Sequence, residues 1–206
     1  MNERQASSLK GPRLVACLSA AMALLFLGRL LANGLAEEGV RAVVRSSAQT
    51  SLLLLCTAFA ASSLRALWPT PATRWLLVNR RYIGVSMGIS HFVHFLSLIA
   101  LALVSDFVPT TTTLVFGGLG FAFCFAMALT SSNAAVAALG ARNWRILHKV
   151  GGYYLWFIFF QSYVPRMLAA PVYAIPVAIL VTVMGLRIAA YRQQQRPARV
   201  GALANG

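Results

Sequence analysis

The chain has 206 residues, of which 59% are hydrophobic and only 11% charged, with a mean hydropathy of +0.71. A soluble domain of this size needs roughly a quarter of its residues charged to cover its surface, so the composition excludes an ordinary globular fold and calls for lipid as solvent. The net charge of +14, from 18 Lys+Arg against 4 Asp+Glu, sits in short clusters between apolar runs. That placement argues against a nucleic-acid interface and for positive-inside anchoring and attraction to anionic headgroups.

Six apolar segments follow in chain order, at about 14–35, 51–67, 82–104, 114–131, 147–164 and 171–190. Each approaches the ~20 residues that cross ~30 Å of hydrocarbon. Ser62 and Ser63 interrupt the second, which is also the shortest. The expected architecture is an all-α membrane bundle of about six helices, residues 14–190, with an N-terminal segment 1–13 and a basic, unstructured tail 191–206.

Arg4, Lys10 and Arg13 precede the first segment, and Arg65, Arg74, Arg80 and Arg81 lie between the second and third. Arg142, Arg145 and Lys149 lie between the fourth and fifth, while Arg187, Arg192, Arg196 and Arg199 stand at and beyond the end of the sixth. These are alternate connections, so they share one side, and the positive-inside rule places both termini in the cytoplasm and the chain in the cytoplasmic (inner) membrane. The other side carries Arg41, Arg45 and Arg166 with Glu37, Glu38 and Asp106. The first segment is longer than the apolar core of a signal peptide, so it is expected to stay as a helix although Gly34-Leu35-Ala36 loosely resembles a cleavage site.

No Walker motif and no G-x-G-x-x-G in a strand–helix setting occurs, so a flavin or nicotinamide site is not expected in this chain. Gly117-Gly118-Leu119-Gly120 lies in an apolar run and reads as close helix packing. Cys17, Cys56 and Cys124 have neither metal-ligand spacing nor an even count and read as small apolar-segment residues.

Ionisable groups inside lipid are costly, which singles out His91, His94 and His148. Arg29 is close enough to a helix end to snorkel. His91 and His94 are three apart and roughly 15 to 20 Å along the helix from Arg81, near mid-membrane on one face. His148 stands at the mouth of the fifth segment, and Gln161 lies about 19 Å further along it. Two imidazoles without carboxylate or thiolate neighbours make a poor zinc site. Haem b suits them better, since a planar macrocycle between helices needs only one or two imidazoles. Tyr153, Tyr154, Trp156, Phe157, Phe159 and Phe160 crowd the same segment and are equally ordinary helix packing.

Two stretches carry a family resemblance. Arg80-Arg81-Tyr82-Ile83-Gly84-Val85 leads into His94, and Leu129-Thr130-Ser131-Ser132 is followed by Leu139-Gly140, Trp144 and Leu147-His148. Together, over about 45–165, they resemble the ferric-reductase-like transmembrane superfamily, in particular the haem-binding membrane subunits of the MsrQ/YedZ type. The resemblance implies a haem b electron-transfer protein, an oxidoreductase component that takes electrons from a quinone or a flavoprotein partner and passes them to an outer-face acceptor. It implies His94 as principal iron ligand, with His91 as its substitute and His148 and Gln161 on the opposing helix. Arg80, Arg81, Arg145 and Lys149 would neutralise propionates. In the family a second His follows Leu-His by thirteen residues; here Gln161 holds that place, so the paired ligation does not transfer intact. A five-coordinate haem on His94, a pair formed with His148, or loss of the haem are the three consequences. A haem-free scaffold or assembly subunit of the same fold is therefore the alternative function, and a transporter ranks third, for want of an intramembrane carboxylate.

Overall fold

In the computed structural model, backbone is described for residues 9–204 and side chains for 9–195. The chain forms α1 (Pro12–Ala32), α2 (Glu37–Leu67), α3 (Pro71–Val104), α4 (Thr111–Leu129), a short α5 (Asn133–Leu139), α6 (Ala141–Ala169), a 3-10 turn (Pro171–Tyr173) and α7 (Ala174–Ala204). Among the described residues, five stretches are long and apolar enough to cross a bilayer, namely α1 to α4 and Pro171–Gln195, which runs from the 3-10 turn into α7. α6 has the length, 29 residues, but opens with Arg142, Asn143, Arg145, His148 and Lys149 and closes past Gln161 and Arg166, which lowers its apolarity. The chain is a multi-pass, all-helical membrane protein.

Helices outrun the hydropathy segments. Arg41 and Arg45, expected in a loop, lie inside α2, and Arg74, Arg80 and Arg81 lie inside α3. A helix 31 residues long spans about 46 Å, so its ends project past the hydrocarbon, where charges cost little. The stretch after Ala190 is also helical, because Arg, Gln and Ala favour propagation from a helix already nucleated. The first eight residues of the expected N-terminal segment fall outside the described part.

α3 starts from Pro71 at its first position, with Thr70 and Thr73 forming a reciprocal capping box. It packs along α2 through small polar residues: Ser51 donates to Ser90 Oγ at 3.0 Å, and Ser90 donates to the Ser47 carbonyl at 3.1 Å. Small side chains let the two backbones approach, and hydroxyl bonds that water does not contest hold them. α1 leans on α2 and α3, α7 on α2, and α4 pairs with α6. Asn79, fully buried, ties α1 to α3 by accepting from Gly11 N at 3.1 Å and donating to the Trp75 carbonyl. At Gly88 an added Cβ would stand 2.9 Å from Ala128 Cβ, which is why α3 and α4 touch there.

Candidate functional site

The corner between α4 and α6 is built from the second sequence motif. Thr130 caps the end of α4, Ser132 caps α5 by accepting from Ala135 N at 3.0 Å, and Gly140, with φ +77°, makes the break into α6. Trp144 Nε1 then donates to the Thr130 carbonyl at 3.0 Å, and its ring stacks on His148 with centroids 4.2 Å apart. His148 Nε2 lies 3.3 Å from Thr130 Oγ1; that hydroxyl already donates to the Ala126 carbonyl, so the imidazole is the donor. From the first motif, Arg81 Nη1 donates to Asn133 Oδ1 at 2.7 Å and its Nε bonds the Ser131 carbonyl.

These contacts frame a cavity of about 380 Å³ between α3 and α6, closed by α2, α4 and α7. Such a volume falls in the ~300–1,000 Å³ range of small-molecule sites. Arg80, Arg81, Arg145, Lys149 and Arg187 surround it, with His148 at its side. Its depth is lined by Leu55, Met87, Cys124 and Met127. Among the described residues no carboxylate lines it, and Arg41–Glu37, at the far end of the bundle, is the single ion pair. Five cations with no acidic partner among the described residues, over an apolar floor, suit an amphiphilic anionic ligand. Gly84 faces this space: a Cβ there would meet nothing within 4 Å.

Arg187 is the site residue that sequence reasoning passed over as a membrane anchor. Its guanidinium sits 4.0 Å above the Phe59 ring and 5.0 Å from that of Tyr153, donates to the Phe59 carbonyl at 2.8 Å and to Tyr153 Oη at 3.2 Å. The signal was its place inside the last apolar segment, before Ala190, where an anchoring arginine is not needed.

The expected deep ligands lie elsewhere. Met87 ends the cavity on α3, so His91 stands one turn past it and His94 roughly 10 Å past it. His94 is turned toward α2, with Nδ1 at 3.1 Å from both the Val44 carbonyl and Ser47 Oγ. A carbonyl can only accept, so Nδ1 carries the proton and the lone pair is on Nε2. His91 is 7% exposed, packs against His94, Phe121 and Phe159, and its buried Nδ1 has no partner. Gln161 is exposed on α6 and makes no hydrogen bond among the described residues, so it bonds neither imidazole. Arg80, Arg81 and His148 do converge on the cavity. No group of three or more His, Cys, Asp or Glu that could hold a metal ion by itself occurs among the described residues.

Comparison with known proteins points the same way as the motifs. The chain is 31% identical over 115 residues to the "protein-methionine-sulfoxide reductase heme-binding subunit MsrQ" of Ralstonia nicotianae (strain ATCC BAA-1114 / GMI1000), covering 52% of this chain and 51% of the relative. It is 29% identical over 122 residues to the protein of the same name from Polaromonas naphthalenivorans (strain CJ2), covering 56% and 54%. The chain thus spans about half the length of the curated relatives it matches. No family model and no solved structure matches it. Over that half, the chain is related to the MsrQ-type subunits, the relationship that its two motifs imply.

Proposed function

We propose that this protein is a haem-binding membrane subunit that carries electrons across the cytoplasmic membrane, with its basic end on the cytoplasmic side. The observation that carries the proposal is the cavity between α3 and α6: five cations with no counter-ion among the described residues, one imidazole and an apolar floor. Together these fit the two propionates, the iron and the macrocycle of haem b, and the relatives' printed name agrees. A bound haem would supply reversible one-electron chemistry.

The chain's own residues have separable roles. Arg80, Arg145, Lys149 and Arg187 bind carboxylates, Arg81 holds the α4–α5 corner in place, and Phe59 and Tyr153 fix the Arg187 guanidinium. His148 is the imidazole donor, oriented by Trp144 and Thr130, and Met87 and Met127 are the thioethers lining the same space. Leu55, Cys124 and Met87 exclude water from the floor. His91 and His94, one and two turns deeper, extend a polar path toward the opposite end of α3. Electrons would enter from a quinone or a separate flavoprotein and leave to a partner at that opposite end.

Haemin titration of the apo-protein tests the assignment. His148→Ala is expected to weaken uptake at least tenfold, while His94→Ala keeps it; the reverse outcome would move the haem to the deep pair and refute the cavity assignment. A second reading, a haem-free scaffold of the same fold, is favoured by one observation, that Gln161 is exposed and gives His94 no partner across the bundle.

A further inference from the structure

A second recess, of about 590 Å³, lies on the outer side of Arg187, between α2, α6 and α7 at the basic end. Lys149, Arg187 and Arg192 line it with Tyr153, Tyr191, Ser62 and Ser63, and among the described residues no acidic side chain does. Along α7 the wall is apolar at Met184 and Ile188, with Arg187 between them, and Tyr191 and Arg192 stand about one turn nearer the helix end. The recess is open, since Tyr191 is 64% exposed and Lys149 and Arg192 are exposed. Lys149, Arg187 and Ser62 line both recesses, so the fixed Arg187 guanidinium forms part of the wall between them.

A cation with an apolar strip beside it, and a second cation and a phenol about one turn nearer the helix end, suit the headgroup and first acyl carbons of an amphiphile at a membrane surface. We propose that this groove is a specific site for the phosphodiester headgroup of an anionic phospholipid, with the acyl chains lying along Met184 and Ile188. Arg187 and Arg192 supply the charged hydrogen bonds, Tyr153 and Tyr191 flank the head, and Ser62 and Ser63 offer hydroxyls at its base. The site shares Arg187 and Lys149 with the haem cavity but does not rest on the haem reading, for a colourless preparation tests it equally well.

The experiment uses the full chain, delipidated in a neutral detergent, with phosphatidylglycerol and phosphatidylcholine counted by native mass spectrometry. One phosphatidylglycerol per chain is expected to be retained with about tenfold preference over phosphatidylcholine. Each basic side chain near a membrane surface is worth about fivefold in affinity, so Arg192→Gln should cost about fivefold and Arg192→Glu about twenty-fivefold. Arg74→Gln removes the same charge from an exposed position that lines neither recess, and should change nothing. Equal retention of the two lipids overturns the proposal, as does an Arg74→Gln loss matching that of Arg192→Gln, which would mean diffuse charge attraction. Displacement of the lipid by millimolar inorganic phosphate would also overturn it, by assigning the groove to a free anion.

Discussion

Two glycines one turn apart on α3 separate the cavity from the packing around it. At Gly84 an added Cβ meets nothing within 4 Å, because the residue faces the cavity; at Gly88 it meets Ala128 Cβ at 2.9 Å. Replacing Gly84 by Ala therefore relieves the helix of glycine's backbone entropy without a clash, a gain of roughly 0.8–1 kcal/mol. Gly84→Trp keeps roughly half of that gain, and its indole fills the floor next to Met87 and Leu55. Gly88→Leu instead forces α3 and α4 apart and should cost about 1–3 kcal/mol. Denaturation of the detergent-solubilised protein, followed by circular dichroism, measures the stabilities, and haemin titration measures uptake. The expected pattern is Gly84→Ala stable and competent, Gly84→Trp stable and at least tenfold weaker in uptake, and Gly88→Leu destabilised. A Gly84→Trp protein that takes up haemin with wild-type affinity and spectrum would refute the cavity as the binding site.

Further outcomes follow from other contacts. Ser90→Ala removes one bond given to the Ser47 carbonyl and one received from Ser51; at about 0.6 kcal/mol each in a membrane protein, the loss should be about 1 kcal/mol, seen in the same denaturation assay. Gln161→His should leave the spectrum of a haem-loaded protein unchanged, since the side chain is exposed, whereas a new low-spin bis-imidazole spectrum would show that α6 presents this position to a haem. Met87→His adds an imidazole to the cavity lining from α3 and is expected to yield that low-spin spectrum itself. Trp144→Phe keeps an aromatic face for His148 but loses the bond to the Thr130 carbonyl, so haemin affinity should fall severalfold with little loss of helicity.

How much of this was legible in the sequence varies with the range of the contact. Six long helices follow from apolar runs of bilayer length, and only their ends were misjudged. Hydropathy stops at Arg41 or Arg74, but helical hydrogen bonding carries on through a charge that has reached water. The short α5 was hidden because Ala134, Ala135, Val136, Ala137 and Ala138 carry no polar boundary; only Ser132 and Gly140 mark its ends. The two motifs were visible as residues, and their purpose, a corner locked by Trp144, Thr130 and Arg81, needed coordinates. Helical spacing placed His91 and His94 at one depth, but it could not say that Val44 and Ser47 would claim His94. Arg187 was the least accessible, since its partner Phe59 lies 128 residues away and no periodicity links them.

The central claim is that the basic cavity holds haem. The most direct measurement is a pyridine haemochrome assay with oxidised and dithionite-reduced spectra, on protein purified in detergent from haem-supplemented cells. The account predicts a stoichiometric Soret band with b-type reduced peaks that is lost in Gly84→Trp. A colourless wild-type protein that also fails to take up added haemin would contradict it.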